Sequence, residues 1–399
     1  MTDGLYRAFC DKRKAAHHFR RLQTTQPTAG GRAVRDGQDL LNFSGNDYLG
    51  LSQHPLLIER AREYAARYGA GATASRLISG NHPAYAVIED KLARAKGTEA
   101  ALVLASGYQT NLAVLGALAD AEALGKPVYV LADRLSHNSL LQGATLGGAR
   151  LMRFHHNDGA HLAGLLQAQA AKGAHTIIVS ESVFGMDGDR ADIPALSART
   201  KEYGAMLYID EAHATGLFGP DGFGFSALHK GSVDVAMGTF GKALGGFGAY
   251  VACSTTLRDY LVQRCGGFIY STALPPAVLG AIDAALDLLP QLAAERAHLI
   301  AQSARLKFAL QAQGWNCGAS TTQIIPVILG EERAATTLAD ILLKQGLLVP
   351  AIRPPTVPRG TSRLRFSLSA THKAEDIDRA IEIMAAHVSA FAAPSALAS

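Results

Sequence analysis

Val235-Ala-Met-Gly-Thr239-Phe-Gly-Lys242-Ala-Leu-Gly-Gly-Phe-Gly248 is an apolar run followed by a lysine set among glycines. Val233–Thr239 reads as a buried strand. A lysine just past its end, with Phe240, Leu244 and Phe247 as neighbours, is short of water. Desolvation disfavours the ammonium and leaves a neutral amine available as a nucleophile. A solvated surface lysine fits those neighbours poorly. The glycines give clearance for something flat and bulky.

The same pattern recurs outward from this stretch. Ala100–Ala105, Val128–Ala132, Thr176–Ser180, Met206–Asp210 and Ala249–Cys253 are short apolar runs, mostly separated by segments of helical periodicity. That alternation predicts an α/β fold: a large domain with a mostly parallel central sheet flanked by helices. Such sheets bind ligands at the C-terminal ends of their strands. Upstream, residues 1–45 read as a basic helix and a hairpin-like piece, broken by Pro27 and Gly30-Gly31, and Pro55–Tyr68 reads as a helix. After Pro290 a long helix leads into strands at Gln323–Leu329, Leu347–Ile352 and Arg363–Ser369, with helices at Ala334–Lys344 and Ala374–Phe391. The last helix carries Ile377, Ile381, Met384, Val388 and Phe391 on one face. The chain thus divides into an N-terminal extension (1–45), a large domain (46–290) and a small C-terminal α+β domain (291–399), with Ala392–Ser399 expected to be loose.

Composition narrows the function. The 399 residues are 48% hydrophobic and 18% charged, which supplies a core and excludes a disordered or fibrous chain. A net charge of +4 is too small to argue for nucleic acid. The 40 glycines lack the period of three that collagen needs. Cys10, Cys253, Cys265 and Cys317 form no CxxC pair, which fits a reducing, cytoplasmic setting. Met1–Lys14 has no apolar leader core, and no apolar run reaches the roughly 18 residues of a membrane span.

The chemistry gathers at predicted strand ends. Met206–Asp210 ends in a carboxylate, with His213 three residues on. Asp210 serves equally well as a cap for the turn that follows. Beside Lys242 the pair means more: a lysine for a Schiff base, a carboxylate for a pyridinium nitrogen and glycine-rich loops for a phosphate are what pyridoxal phosphate (PLP) requires. His213 is placed for the ring hydroxyl. Ser106-Gly107-Tyr108 is a strand-to-helix turn whose free N–H groups suit a phosphate. His137, in Asp133-Arg-Leu-Ser-His137, is a candidate to stack on the ring or meet a substrate carbonyl; alone it reads as a satisfied loop histidine. Gly69-Ala-Gly71-Ala-Thr-Ala74 follows a helix, not a strand, so it is no dinucleotide fingerprint. Asp187-Gly-Asp189 lacks the later ligands of a calcium loop. His17-His18 and His155-His156 lack HxxxH spacing, so no metal site is expected. Lys12, Arg13, Lys14, Arg20 and Arg21 read as a solvated basic face.

Taken in order, several stretches resemble the α-oxoamine synthases, fold-type-I PLP-dependent enzymes that condense an amino acid with an acyl-CoA. They are Asn42–Ser52, Asp133–Ser139, Ser182–Asp189, Asp210-Glu-Ala-His213, Thr239-Phe-Gly-Lys242 and Tyr270-Ser-Thr272. Within that family, Ala351–Pro358 followed by Arg363-Leu-Arg365 most resembles members that join L-alanine to a pimeloyl thioester, on CoA or an acyl carrier protein, in biotin biosynthesis. A sister activity, such as glycine with acetyl-CoA, is the alternative. The resemblance implies that Lys242 forms the Schiff base, Asp210 and His213 hold the ring nitrogen and hydroxyl, and His137 stacks on the ring. It implies that Gly107, Tyr108 and Thr239 hold the phosphate, and that Thr272 reaches the neighbouring subunit's phosphate in a homodimer. It places Asn46 and Arg353 on the alanine carboxylate, with Thr356 and Arg20 on the acyl side. Gly185 departs from the family, which often has serine there; water or Ser182 is left to replace its hydroxyl.

Overall fold

A computed structural model describes residues 3–15 and 19–391. Met1, Thr2, the His17-His18 pair and the tail Ala392–Ser399 lie outside them.

The central sheet uses β4 (Ala100–Leu104), β5 (Val128–Asp133), β6 (Arg150–Phe154), β7 (His175–Glu181), β8 (Met206–Asp210), β9 (Val235–Thr239) and β10 (Ala249–Cys253). Their spatial order is β4-β10-β9-β8-β7-β5-β6. β10 runs antiparallel to both neighbours, while the pairs from β9 to β6 are parallel. The sheet is therefore mixed, with one reversed strand in a mostly parallel frame. The strands between the two edges are apolar because helices cover both faces. Edge strand β6 alternates Arg150 and Arg153 with Leu151 and Met152, so it shows no continuous apolar run.

Three apolar clusters flank the sheet, the smallest being Leu131, Ile178, Leu207 and Ile209 with Leu162 and Leu166; the two larger ones reach the site. One gathers Leu102, Val130, Val179 and Met237 under the helix Gly107–Leu118. The other runs from Val103 and Tyr250 through the helices Pro55–Tyr68 and Pro276–Leu288 to the C-terminal strands. The helix Ala374–Ala385 buries Ile377, Ala380 and Met384 there. Burying each large side chain contributes about 1.5–3 kcal/mol. A second helix, Val388–Phe391, continues the same apolar face after a break, where the sequence reads as one helix.

The N-terminal strands, β1 (Gln26–Thr28), β2 (Arg32–Arg35) and β3 (Gln38–Asn42), form an antiparallel meander. Pro27 lies on its edge, where no ladder N–H is needed. The other side of β3 pairs in parallel with β12 (Leu347–Leu348). The predicted strand Leu347–Ile352 is thus split around Val349-Pro350. Its second half, β13 (Ala351–Ile352), joins a different sheet, β11-β14-β13, with β11 (Ile324–Gly330) and β14 (Ser362–Ser367). Among the described residues no single helix is long and apolar enough to cross a membrane.

Candidate active site

Lys242 sits in the turn between β9 and β10. The Phe240 N–H donates to Gly248 O (2.9 Å) and the Gly246 N–H to Phe240 O (2.8 Å). Phe240 and Leu244 are buried, whereas Phe247 is exposed. Gly245 holds φ +63°, and a Cβ there would lie 2.4 Å from the Leu51 carbonyl carbon. Both conformation and space demand glycine. Burial pushes the Lys242 amine down to about 8, against the pull of Asp210 and Glu181. Its Nζ lies 2.8 Å from His213 Nε2.

Asp210 caps the turn that follows it and keeps its second oxygen on Asn111. Oδ1 accepts the Ala212 N–H (2.8 Å), closing the turn. Oδ2 accepts from Asn111 Nδ2 (2.7 Å), and Asn111 Oδ1 in turn accepts the Tyr208 hydroxyl (2.8 Å). His213 Nδ1 is 2.7 Å from the Tyr48 hydroxyl, which donates to Asn46 Oδ1 (3.0 Å). Burial, with Lys242 and Arg365 nearby, drives the His213 pKa well below its usual range, so the ring is neutral.

The helix Gly107–Leu118 starts directly after β4, and its first N–H groups have no intrahelical acceptor. A Cβ on Gly107 would lie 3.7 Å from Thr239 Oγ1, so the Gly107 backbone approaches Thr239 closely. The Thr239 hydroxyl donates to Gly248 O (2.9 Å) and accepts the Gly241 N–H (3.2 Å). The Tyr108 hydroxyl bonds the Gln142 side chain.

His137 caps the helix Asn138–Leu146 through Nδ1, which lies 2.7 Å from Ser139 Oγ. Its backbone N–H donates to Glu181 Oε1 (2.5 Å). Glu181 stands in register beside Asp210. Burial and the Asp210 carboxylate push it up to about 8. The Ser182 hydroxyl is turned to Asp210 O (3.5 Å). The room left by Gly185 is filled by the His213 ring: a Cβ there would lie 2.5 Å from Nε2.

Arg365, buried on β14, donates from Nε to Gly185 O (2.6 Å) and from its terminal nitrogens to Asn46 Oδ1 (3.3 and 3.4 Å). Two residues along, Arg363 pairs with Asp187. Arg353 lies elsewhere. With Arg13, Arg20 and Thr356 it lines a cavity of about 310 Å³. Thr272 is exposed and bridges to Ser75. The structure therefore links Lys242, His213 and Asn46 in one hydrogen-bonded chain, links Asp210 through Asn111 and Ser139 to His137 in a second polar chain of the same site, and sets Arg20, Arg353 and Thr356 around one cavity. Sequence reasoning missed Tyr48, Asn111, Glu181 and Arg365 as members of that site.

Residues 38–384 match the aminotransferase class I and II family. The chain belongs to that family. Its class I and II fold is fold type I of the PLP-dependent enzymes. It is 56% identical over 384 residues to a putative 8-amino-7-oxononanoate synthase of Bordetella pertussis, covering 96% of this chain and 97% of the relative. A solved structure of SPT with PLP superposes with TM-score 0.88 at 29% identity, covering 98% of both chains. The 8-amino-7-oxononanoate synthase of Francisella tularensis gives TM-score 0.75 at 27% identity, over 88% of this chain and 98% of that one. This class I and II site fits PLP on its own chemistry. Lys242 offers an amine of lowered pKa, Asp210 a doubly anchored carboxylate, and Gly107–Tyr108 N–H groups at a helix start.

Proposed function

We propose that the protein is a PLP-dependent 8-amino-7-oxononanoate synthase, joining L-alanine to a pimeloyl thioester with loss of CO2. The observation that carries this reading is the placement of Lys242, Asp210 and His213 at adjacent strand ends, in a chain 56% identical to a relative named for that activity.

PLP, when bound, supplies an electron sink for the carbanion formed at the alanine α-carbon. The chain's residues do the rest. Lys242 would hold the cofactor, and its amine would take the α-proton of alanine as a base close to its target. Asp210 keeps the ring nitrogen protonated, and Asn111 keeps Asp210 aimed. Neutral His213 faces the ring hydroxyl. His137 stacks on the ring and donates to the thioester oxygen as charge develops. Gly107, Tyr108 and Thr239 hold the phosphate. Asn46 and Arg353 would hold the alanine carboxylate and so select which bond at the α-carbon is broken. Arg20 and Thr356 receive the acyl chain, and a cavity that Arg13 and Arg20 both line suits a chain ending in a carboxylate.

We place the active site at a homodimer interface, with Thr272 reaching the neighbouring phosphate. The exposure of Ile78 and Tyr270, at 80% and 85%, supports a partner on that face. A cytoplasmic location follows from the substrates. CoA and acyl carrier protein are both donors to test.

The deciding experiment is thiol release by the PLP-loaded protein. L-Alanine with pimeloyl-CoA is compared with glycine plus acetyl-CoA. Release with the first pair is expected. Release with only the second would move the protein to a sister activity.

A further inference from the structure

Away from Lys242, a histidine is held between two buried carboxylates. His156 Nδ1 lies 2.9 Å from Asp133 Oδ1, and Nε2 lies 2.7 Å from Asp189 Oδ2. Asp133 has no exposed surface and Asp189 has 8%. A ring bonded to a carboxylate at each nitrogen must donate from both, so it is an imidazolium. These two are the charged groups facing it. They push its pKa up to about 10 in spite of burial. The Phe184 ring stands edge-on to it at 4.4 Å.

The next residue completes the arrangement. Asn157 adopts φ +53°, a left-handed conformation that asparagine enters more readily than most residues. It turns its N–H onto Asp133 Oδ2 (2.9 Å), while its side chain donates to Asp189 Oδ2 (3.0 Å).

The two carboxylates belong to different active-site loops. Asp133 ends β5, and its Oδ1 also accepts the Leu135 N–H (2.9 Å), shaping the turn to His137. Asp189 follows β7, in the loop that carries Gly185. There its backbone carbonyl accepts the Phe184 N–H (3.0 Å).

We propose that His156 is a positioning residue whose cation clamps the Asp133 and Asp189 loops together, and so fixes His137 and Gly185 on the two sides of the cofactor site. The clamp rests on the PLP reading for its purpose but not for its chemistry. Removing the cation leaves two buried carboxylates facing each other, and Asp189 Oδ1 already has no partner. Two like charges in low dielectric repel strongly.

Two measurements test it. In wild-type protein labelled at histidine Cε1, the His156 resonance, assigned by its loss in His156→Gln, should stay at the imidazolium position to pH 9. A midpoint near 6.5 overturns the clamp whatever the cofactor. Next, His156→Gln and Asp189→Asn should keep their near-ultraviolet circular dichroism yet bind PLP about tenfold or more weakly, with kcat down by up to about a hundredfold. If His156→Gln does not fold, Asp189→Asn, which keeps the Asp133 pair, decides. Lower melting temperature with PLP affinity unchanged would make the cluster a plain brace and overturn the positioning role. Failure of Lys242→Ala to lose the visible cofactor band would instead overturn the PLP reading and leave the titration result standing.

Discussion

His213 Nε2 stands 2.8 Å from Lys242 Nζ, and it occupies the space that a side chain at Gly185 would fill. The ring is anchored from behind by Tyr48. Gly185→Ser therefore cannot simply add a hydroxyl. A Cβ 2.5 Å from Nε2 forces His213 to move, and Tyr48 resists that movement. The variant should bind PLP more weakly and shift its visible absorption. Unchanged affinity and spectrum would show that His213 yields freely.

Lys242→Ala should abolish the visible band formed on adding PLP, because it removes the amine held near Asp210. A band that survives sodium dodecyl sulfate would refute the assignment.

The Lys242 amine is held down to about 8, below its usual 10.5. Capture of PLP needs the free amine, so the capture rate of the apoprotein should rise with pH through about 8 and then level off. Stability has the same sign. Between the two values the unfolded chain binds the extra proton, so Lys242 contributes stability that grows as pH rises from about 8 to 10.5. A capture rate still climbing at pH 10 would contradict the lowered value.

Arg353→Ala and Thr356→Val separate the two substrates. Losing a charged hydrogen bond costs about 1.5–3 kcal/mol, so Arg353→Ala should raise KM for alanine by roughly 10- to 100-fold. Thr356→Val should act on the thioester KM and leave alanine alone. If Arg353→Ala changed only the thioester KM, the arginine would belong wholly to the acyl cavity that it lines with Arg20.

Lys96 and Glu211 form a fully buried pair, with Ser226 bonded to both. Lys96→Met leaves an uncompensated carboxylate and should lower unfolding free energy by about 3–5 kcal/mol in urea titration. Lys96→Met with Glu211→Leu should recover much of the loss. No recovery in the double variant would place the cost in packing.

The central sheet was legible because buried strands are continuous apolar runs. β6 was not, since Arg150 and Arg153 make an edge strand look like a loop. The reversal of β10 leaves no trace in an apolar pattern, because either direction buries the same residues. Lys242, Asp210 and His213 could be read as strand-end chemistry. Tyr48 and Asn111 could not, since their partners are set by tertiary approach. Arg365 left a signal. Arg363 and Arg365 alternate within the strand Ser362–Ser367, which puts two cations on one face of a buried strand. Both bond the Gly185–Asp187 segment, through Gly185 O and the Asp187 carboxylate. Glu181 was hidden because a strand-end acid looks like solvent-facing punctuation until the register sets it beside Asp210.

The pairing of β3 with β12 joins a strand made early in translation to one made near its end. On the ribosome, Leu41 and Asn42 must wait, unpaired on that edge, until Leu347 and Leu348 emerge. The cavity that Arg20 and Thr356 line, proposed above for the acyl chain, has the same history, with one residue from each end of the chain. The large sheet can close while synthesis continues, but this cavity assembles last. A nascent or truncated chain would thus hold the strand-end machinery before this cavity had closed.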